Sequence, residues 1–158
     1  MDSVIRARRI AGAVFFILTV IAVANSAAKA ANVQVAQIKT VSGLAEIVRN
    51  GARTLARVGD PLYEKDTIET GADGAIGITF IDNTVMSGGP DSQIVLEDYK
   101  FNSSNFKGSM LTDMNRGTVS MISGDIARST PGAMKVKTPT AILGVRGTRF
   151  VIEVKDNR

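Results

Sequence analysis

The sequence predicts an all-β domain, and three observations carry that prediction. From Val35 onward no helical stripe of useful length appears; apolar residues instead alternate with polar ones in short runs. The starts of those runs recur every ~8–12 residues with turn residues between them, the rhythm of a sandwich, barrel or roll rather than of βαβ units. Third, Asp125–Val154 reads as two alternating strands joined by a tight corner, with Arg146 held between Gly144 and Gly147.

Taken in order, residues 1–30 are an appendage to that domain. Met1–Arg9 carries Arg6, Arg8 and Arg9, Ile10–Ala24 is a fifteen-residue apolar run, and Ala28-Lys29-Ala30 is a small-residue exit. These are the three parts of a secretory signal peptide, with a short helix and cleavage after Ala30. As a helix the run would span roughly 22 Å, short of a ~30 Å hydrocarbon core. Cleavage is therefore favoured over a permanent anchor, and only an uncleaved segment would tie the chain to a membrane. Both outcomes place the domain outside the cytoplasm, periplasmic or secreted. Residues 31–40 read as an N-terminal segment and first strand, and 41–155 as the β domain.

Val35–Val41, Leu44–Val48 and Thr67–Thr70 are the first strand candidates. Ile76, Ile78 and Phe80 alternate with Gly77, Thr79 and Ile81, so the first three share one face of a sheet. Asp82-Asn83 tolerates positive φ and is read as a tight hairpin leading into Thr84-Val85-Met86. Ser92–Tyr99, Ser109–Asn115 and Thr118–Ile122 follow as three strands, then one helical turn at Gly124–Arg128. Met134, Val136 and Thr138 alternate with Lys135 and Lys137. Thr148, Phe150, Ile152 and Val154 alternate with Arg149, Glu153 and Lys155, and only Val151 interrupts the pattern. Gly88–Pro90 and Ser129–Gly132 are surface loops, and Asn102–Asn105 is a polar excursion.

Composition removes most chemistry. The chain has no histidine, cysteine or tryptophan, so Ser-His catalysis, thiol nucleophiles and Cys/His zinc sites lack their side chains. Without the leader, fifteen basic residues face fourteen acidic ones, a net of about +1 in place of +4. A domain so nearly neutral lacks the clustered lysine and arginine that nucleic acid requires. The acids at Asp60, Glu64 and Asp66, and at Asp91, Glu97 and Asp98, read as solvated turn formers rather than paired catalytic carboxylates. No catalytic residue, metal site or cofactor is expected.

Several strings, in this order, closely resemble the FecR domain, the extracytoplasmic module of ferric-citrate regulators. They are Gly43–Val48, Val58–Leu62, Thr67–Gly71, Phe80–Thr84, Pro90–Ser92, Leu96–Phe101, Arg116–Thr118, Ser123-Gly124, Thr138-Pro139 and Gly144–Thr148. The resemblance runs from about Val41 to Val154. At Asn83 the chain departs from the family's usual Asp-Gly, but asparagine also accepts positive φ. The resemblance implies a compact all-β fold of roll or solenoid-like character; composition alone leaves a β-sandwich open. It also implies a relation to regulators that sense an outer-membrane transporter and control a sigma factor. Only Met1–Arg9 would remain inside the cell, too little for a sigma-binding domain, so the chain resembles the sensing module standing alone.

Three functions follow as expectations. The first is a non-enzymatic module that binds another envelope protein, with strand addition as its mode. The second is the sensor of a split signalling system that reports to a membrane regulator. The third is a secreted polysaccharide-binding module using Lys135 and Lys137, with Arg149 and Lys155, as a basic stripe and Tyr99 and Phe101 as stacking groups. Thr138, Pro139, Gly144, Arg146, Gly147 and Thr148 form the family signature and are read as structural. The Arg146 guanidinium is expected to cap carbonyls of a crowded corner rather than to contact an anion. Met110, Met114, Met121 and Met134 are read as core filler.

Overall fold

The longest strand, β9 (Lys107–Ile122), organises the molecule because both arms of one curled, half-barrel sheet share it. The computed structural model describes residues 33–147 and 149–155; the leader Met1–Ala30 and Thr148 lie outside the described residues. Before β9 the chain forms β1 (Gln34–Ser42), β2 (Ala45–Arg49), β3 (Ala52–Leu55), β4 (Pro61–Tyr63), β5 (Thr67–Thr70), β6 (Ala75–Phe80), β7 (Val85–Gly88) and β8 (Gln93–Asn102). After it come α1 (Asp125–Ser129), β10 (Met134–Lys137), β11 (Ile142–Val145) and β12 (Arg149–Val154). Among the described residues no helix is long and apolar enough to cross a membrane.

One arm runs β3-β2-β5-β8-β9 and continues through β10 to β11; the other runs β4-β1-β6-β7-β9 and adds β12. The N-terminal part of β9 pairs with β8, while Met110–Asp113 also pair in parallel with β10. From Gly117 to Ile122 the same strand pairs with β12, and Val119–Ile122 pair with β7. The fold is all-β, and one continuous sheet bends through β9 where a sandwich would stack two separate sheets.

Alternation decides which side chains fill the bend. Ile76, Ile78 and Phe80 are buried as a set, joined by Ile38, Leu62, Ile68, Ile94 and Val136. All four expected methionines, Met110, Met114, Met121 and Met134, lie in this core. The β6–β7 hairpin turns at Asn83, whose φ is 64°, as its side chain allows. The helical turn forms as α1 and packs on β9.

Three differences from the sequence reading have physical causes. The two strands expected at Ser109–Asn115 and Thr118–Ile122 are one, because Gly117 carries the strand between the arms at φ 92° instead of ending it. β3 was not expected, since all four of its residues are exposed and carry no alternation. Its signal lay in the turn, where Asn50 and Gly51 both take positive φ (51° and 80°), the conformation of a two-residue hairpin loop. Finally, β11 intervenes between the two expected C-terminal strands and pairs back on β10.

Two buried acids pin loops to the sheet. Asp66, on the turn before β5, receives a bidentate pair from Arg49 (Nε to Oδ1 2.7 Å, Nη2 to Oδ2 2.8 Å) and the Tyr63 amide (2.8 Å). The Arg49 guanidinium also lies over the Tyr63 ring at 4.3 Å. Asp82 sits at the β6–β7 turn with no exposed surface and binds Thr84 and Tyr99.

The surface pairs give an acid-sensitivity expectation. Hydrogen bonds from Arg53 and then Gln93 hold the Glu69 carboxyl below its ordinary 4.5. A hydrogen bond from the Ser109 hydroxyl does the same for Asp98, below 3.8. Carboxyls lowered in the folded state contribute stability that is complete above their unfolded values and is lost as pH falls through the folded ones. The melting temperature should therefore drop as pH falls below 4.5. Glu69→Gln should flatten that drop in a melting series against pH while lowering stability at neutral pH.

Candidate binding edge

β11 and β12 are both edge strands: among the described residues β11 pairs only with β10, and β12 only with β9. Each therefore presents a row of backbone N–H and C=O groups without a strand partner. A groove of about 480 Å³ runs between the β10–β11 hairpin and β12, lined by Asn115, Thr138, Pro139, Leu143, Ile152 and Lys155. The hairpin tip is rigid in chemistry: the Thr138 amide donates to the Ala141 carbonyl (2.8 Å), and the Ala141 amide donates to the Thr138 hydroxyl (3.1 Å).

Along β12 the inward set is Phe150, Ile152 and Val154, half-buried against the core. Arg149, Val151 and Glu153 face outward, and Val151 is 65% exposed. The alternation that Val151 interrupts in the sequence is thus intact in geometry; its chemistry departs, placing an apolar residue on a solvent face. Ile142 and Leu143 of β11 are exposed as well. Leu143 was not singled out by the sequence reading, and Val151 was noted only as an interruption of the alternation, not as a contact residue.

The predicted residues distribute unevenly around this edge. Thr138 and Pro139 line the groove, and Gly144 lies within β11. Arg146 and Gly147 link β11 to β12, while Thr148 lies outside the described residues. The corner is not crowded as expected: a Cβ at Gly144 or Gly147 would meet nothing within 4 Å. Gly147 is there for its φ of 54°. Arg146 is exposed, and among the described residues it caps no carbonyl and forms no ion pair.

Tyr99 requires a correction. It was read as a surface stacking group, yet it is 6% exposed, stacked on Phe80 at 5.5 Å, with its hydroxyl donating to Asp82 Oδ1 at 3.1 Å. A register shift in β8 between Leu96 and Asp98 reverses the strand's parity and turns Tyr99 inward. Burial and the neighbouring Asp82 carboxylate push its phenol well above the ordinary range. Phe101 is half-buried and, with the edge of Tyr99, lines one cleft of about 450 Å³, apart from the β11–β12 groove, beside Val33, Glu64, Ile81 and Lys100.

The expected basic stripe does not assemble either. Lys137 is paired with Asp113 at 2.7 Å, and Lys135 borders a different hollow beside Asp98 and Ser109. Lys135 and Lys137 belong to the arm of β10, whereas Arg149 belongs to the arm of β12. The acids are likewise dispersed. Glu97 pairs with Lys65, Asp98 with Lys100, and Asp60 accepts the Arg57 amide. No group of three potential metal ligands forms among the described residues.

A family model described as FecR protein matches residues 66–158, more than half of the chain. The chain belongs to the FecR family. The match spans β5 to β12 and so contains the groove and both open strands. It leaves out Gly43–Val48 and Val58–Leu62, where the resemblance had been expected to begin. No curated protein and no solved structure matches this FecR-family chain significantly.

Proposed function

We propose that this FecR-family chain is a non-enzymatic, exported module of the bacterial envelope that docks another envelope protein by strand addition at the β11–β12 edge. The observation that carries the reading is the pair of unpartnered edge strands flanking one groove, with Val151, Ile142 and Leu143 exposed beside it. An added strand gains main-chain hydrogen bonds from the edge, and alternate side chains meet the exposed apolar residues. The dispersal of the acids into separate ion pairs supports a passive surface over a reaction centre. Family membership supports a narrower version in which the docked protein is a membrane regulator or transporter of a signalling system. In either version the leader delivers the domain to the periplasm or beyond the cell.

A photo-crosslinking amino acid placed at Val151 or Leu143 and activated in intact cells tests this. Each position is expected to yield a discrete adduct, while a control at the exposed Val58, on the turn before β4, yields none. Absence of any adduct from both edge positions would overturn the proposal.

A further inference from the structure

We infer that a second copy of this chain pairs with β12, antiparallel and about a two-fold axis through Val151. The inference rests on the edge-docking reading and assigns the β12 half of that edge to a second copy, leaving β11 and the groove to the foreign protein.

The outward face of β12 is self-complementary. Arg149 and Glu153 are both exposed, Glu153 at the lip of the groove, and among the described residues neither forms a side-chain hydrogen bond or ion pair. Four residues apart on a strand, they are separated by about 13 Å, too far to meet each other. In an antiparallel pair centred on Val151, Arg149 of each copy lies opposite Glu153 of the other, and Val151 lies opposite itself. Opposite charges face each other twice, and the exposed valine is covered by its own copy. On the inward face the same register sets Phe150 opposite Ile152, two half-buried apolar residues.

Neighbouring registers lose this match. A shift of two residues in one direction places Arg149 opposite Lys155, a like-charge pair repeated on both sides. The opposite shift leaves Arg149 opposite Val151 and Glu153 opposite Gly147. The charges therefore select one alignment of an edge that is otherwise free to slip. Among the described residues no other open edge has this property. β11 carries no charge, β4 has three residues, and Arg53 of β3 is already bound to Glu46 and Glu69.

The test uses the full chain and sedimentation velocity across a wide concentration range. The native protein is expected to shift from monomer to dimer. R149E and E153R each place two like-charge pairs across the axis, and each should weaken association by about tenfold or more. The double swap R149E/E153R restores both pairs and should restore the dimer. A native chain that stays monomeric throughout, singles that dimerise as well as the native chain, or a folded double swap that fails to recover would each overturn the inference.

V151C provides an independent reading, because the chain has no other thiol. Directly opposed antiparallel residues have Cα atoms about 4.5 or 5.5 Å apart, within reach of a disulfide, so oxidation should give a covalent dimer. Its absence overturns the inference even if the charge variants misfold. A protein that is monomeric yet yields a heterologous adduct from position 151 would sink self-pairing and leave edge docking standing. Dimer without any heterologous adduct supports self-pairing and removes the foreign partner.

Discussion

Asp82→Ala is expected to destabilise the fold by about 3–5 kcal/mol, a large share of the ~5–15 kcal/mol that holds a domain of this size together. The carboxylate is wholly buried and accepts from the Thr84 amide (3.2 Å), the Thr84 hydroxyl (2.8 Å), the Tyr99 hydroxyl (3.1 Å) and, more distantly, the Ile126 amide (3.4 Å). Truncation leaves four donors in a buried site, and each orphan costs about 1–3 kcal/mol. The backbone of Asp82 makes two further bonds that the substitution spares: its amide donates to Tyr99 (3.0 Å), and its carbonyl accepts the Asp125 amide (2.8 Å). The β6–β7 turn should therefore loosen from β8 and α1 without losing every tether. Tyr99→Phe is the milder companion, expected to cost about 1–2 kcal/mol because the ring stays stacked while one hydroxyl is lost. Urea unfolding monitored by circular dichroism reads both, as a lowered midpoint at unchanged slope. An Asp82→Ala midpoint equal to that of the native protein would show that the turn does not depend on this carboxylate.

This network marks where sequence patterning stops being informative. The hairpin at Asp82-Asn83 was legible because two turn-tolerant residues separate apolar runs, a purely local signal. That Asp82 would be the buried partner of Tyr99 was not, since seventeen positions separate them. Strict alternation along β8 buries Ile94 and Leu96 and would leave Tyr99 outside; the shift between Leu96 and Asp98 inverts that outcome. A bulge is fixed by the neighbouring strand's register, and no single strand's sequence displays it. For the same reason Arg49 was not singled out, and Asp66, expected as a solvated turn former, is instead fully buried. Each looks like a solvated charge until β2 and the turn before β5 are set side by side.

At the candidate edge the balance was similar. Thr138-Pro139, singled out as part of the family signature and read as structural, closes the β10–β11 hairpin. The glycines of Gly144–Thr148 were read as a mark of crowding, but glycine is selected by crowding and by positive φ alike, and its presence does not say which. At Gly147 the dihedral is the cause and the surroundings are open. The openness of β11 and β12 is a property of topology, created by what fails to pair beside them.

Gly117→Ala is the second large effect, expected to cost about 3 kcal/mol or more by summing two separate penalties. The first is conformational: φ is 92°, a region where a Cβ costs about 1–3 kcal/mol. The second is steric, because the new Cβ would lie 2.4 Å from Ser92 Cα and 2.3 Å from its Oγ. Ser92 is buried and cannot retreat, as its hydroxyl accepts the Thr118 amide and donates to the Thr118 carbonyl, both at 3.1 Å. Gly132→Ala separates the two penalties, since φ there is 81° but nothing lies within 4 Å; it should cost only the conformational part, about 1 kcal/mol. Adding Ser92→Gly to Gly117→Ala should not rescue it, because the contact with the Ser92 backbone persists. Gly117 also pairs with Val154, at the point where β9 passes from the arm of β8 to the arm of β12. Distortion there displaces β12 itself, so Gly117→Ala should weaken edge pairing at Val151 before the rest of the sheet unfolds. Hydrogen exchange can read this directly, with protection lost first along Arg149–Val154. Uniform loss across both arms would instead mean that the handover at Gly117 is not a separate joint.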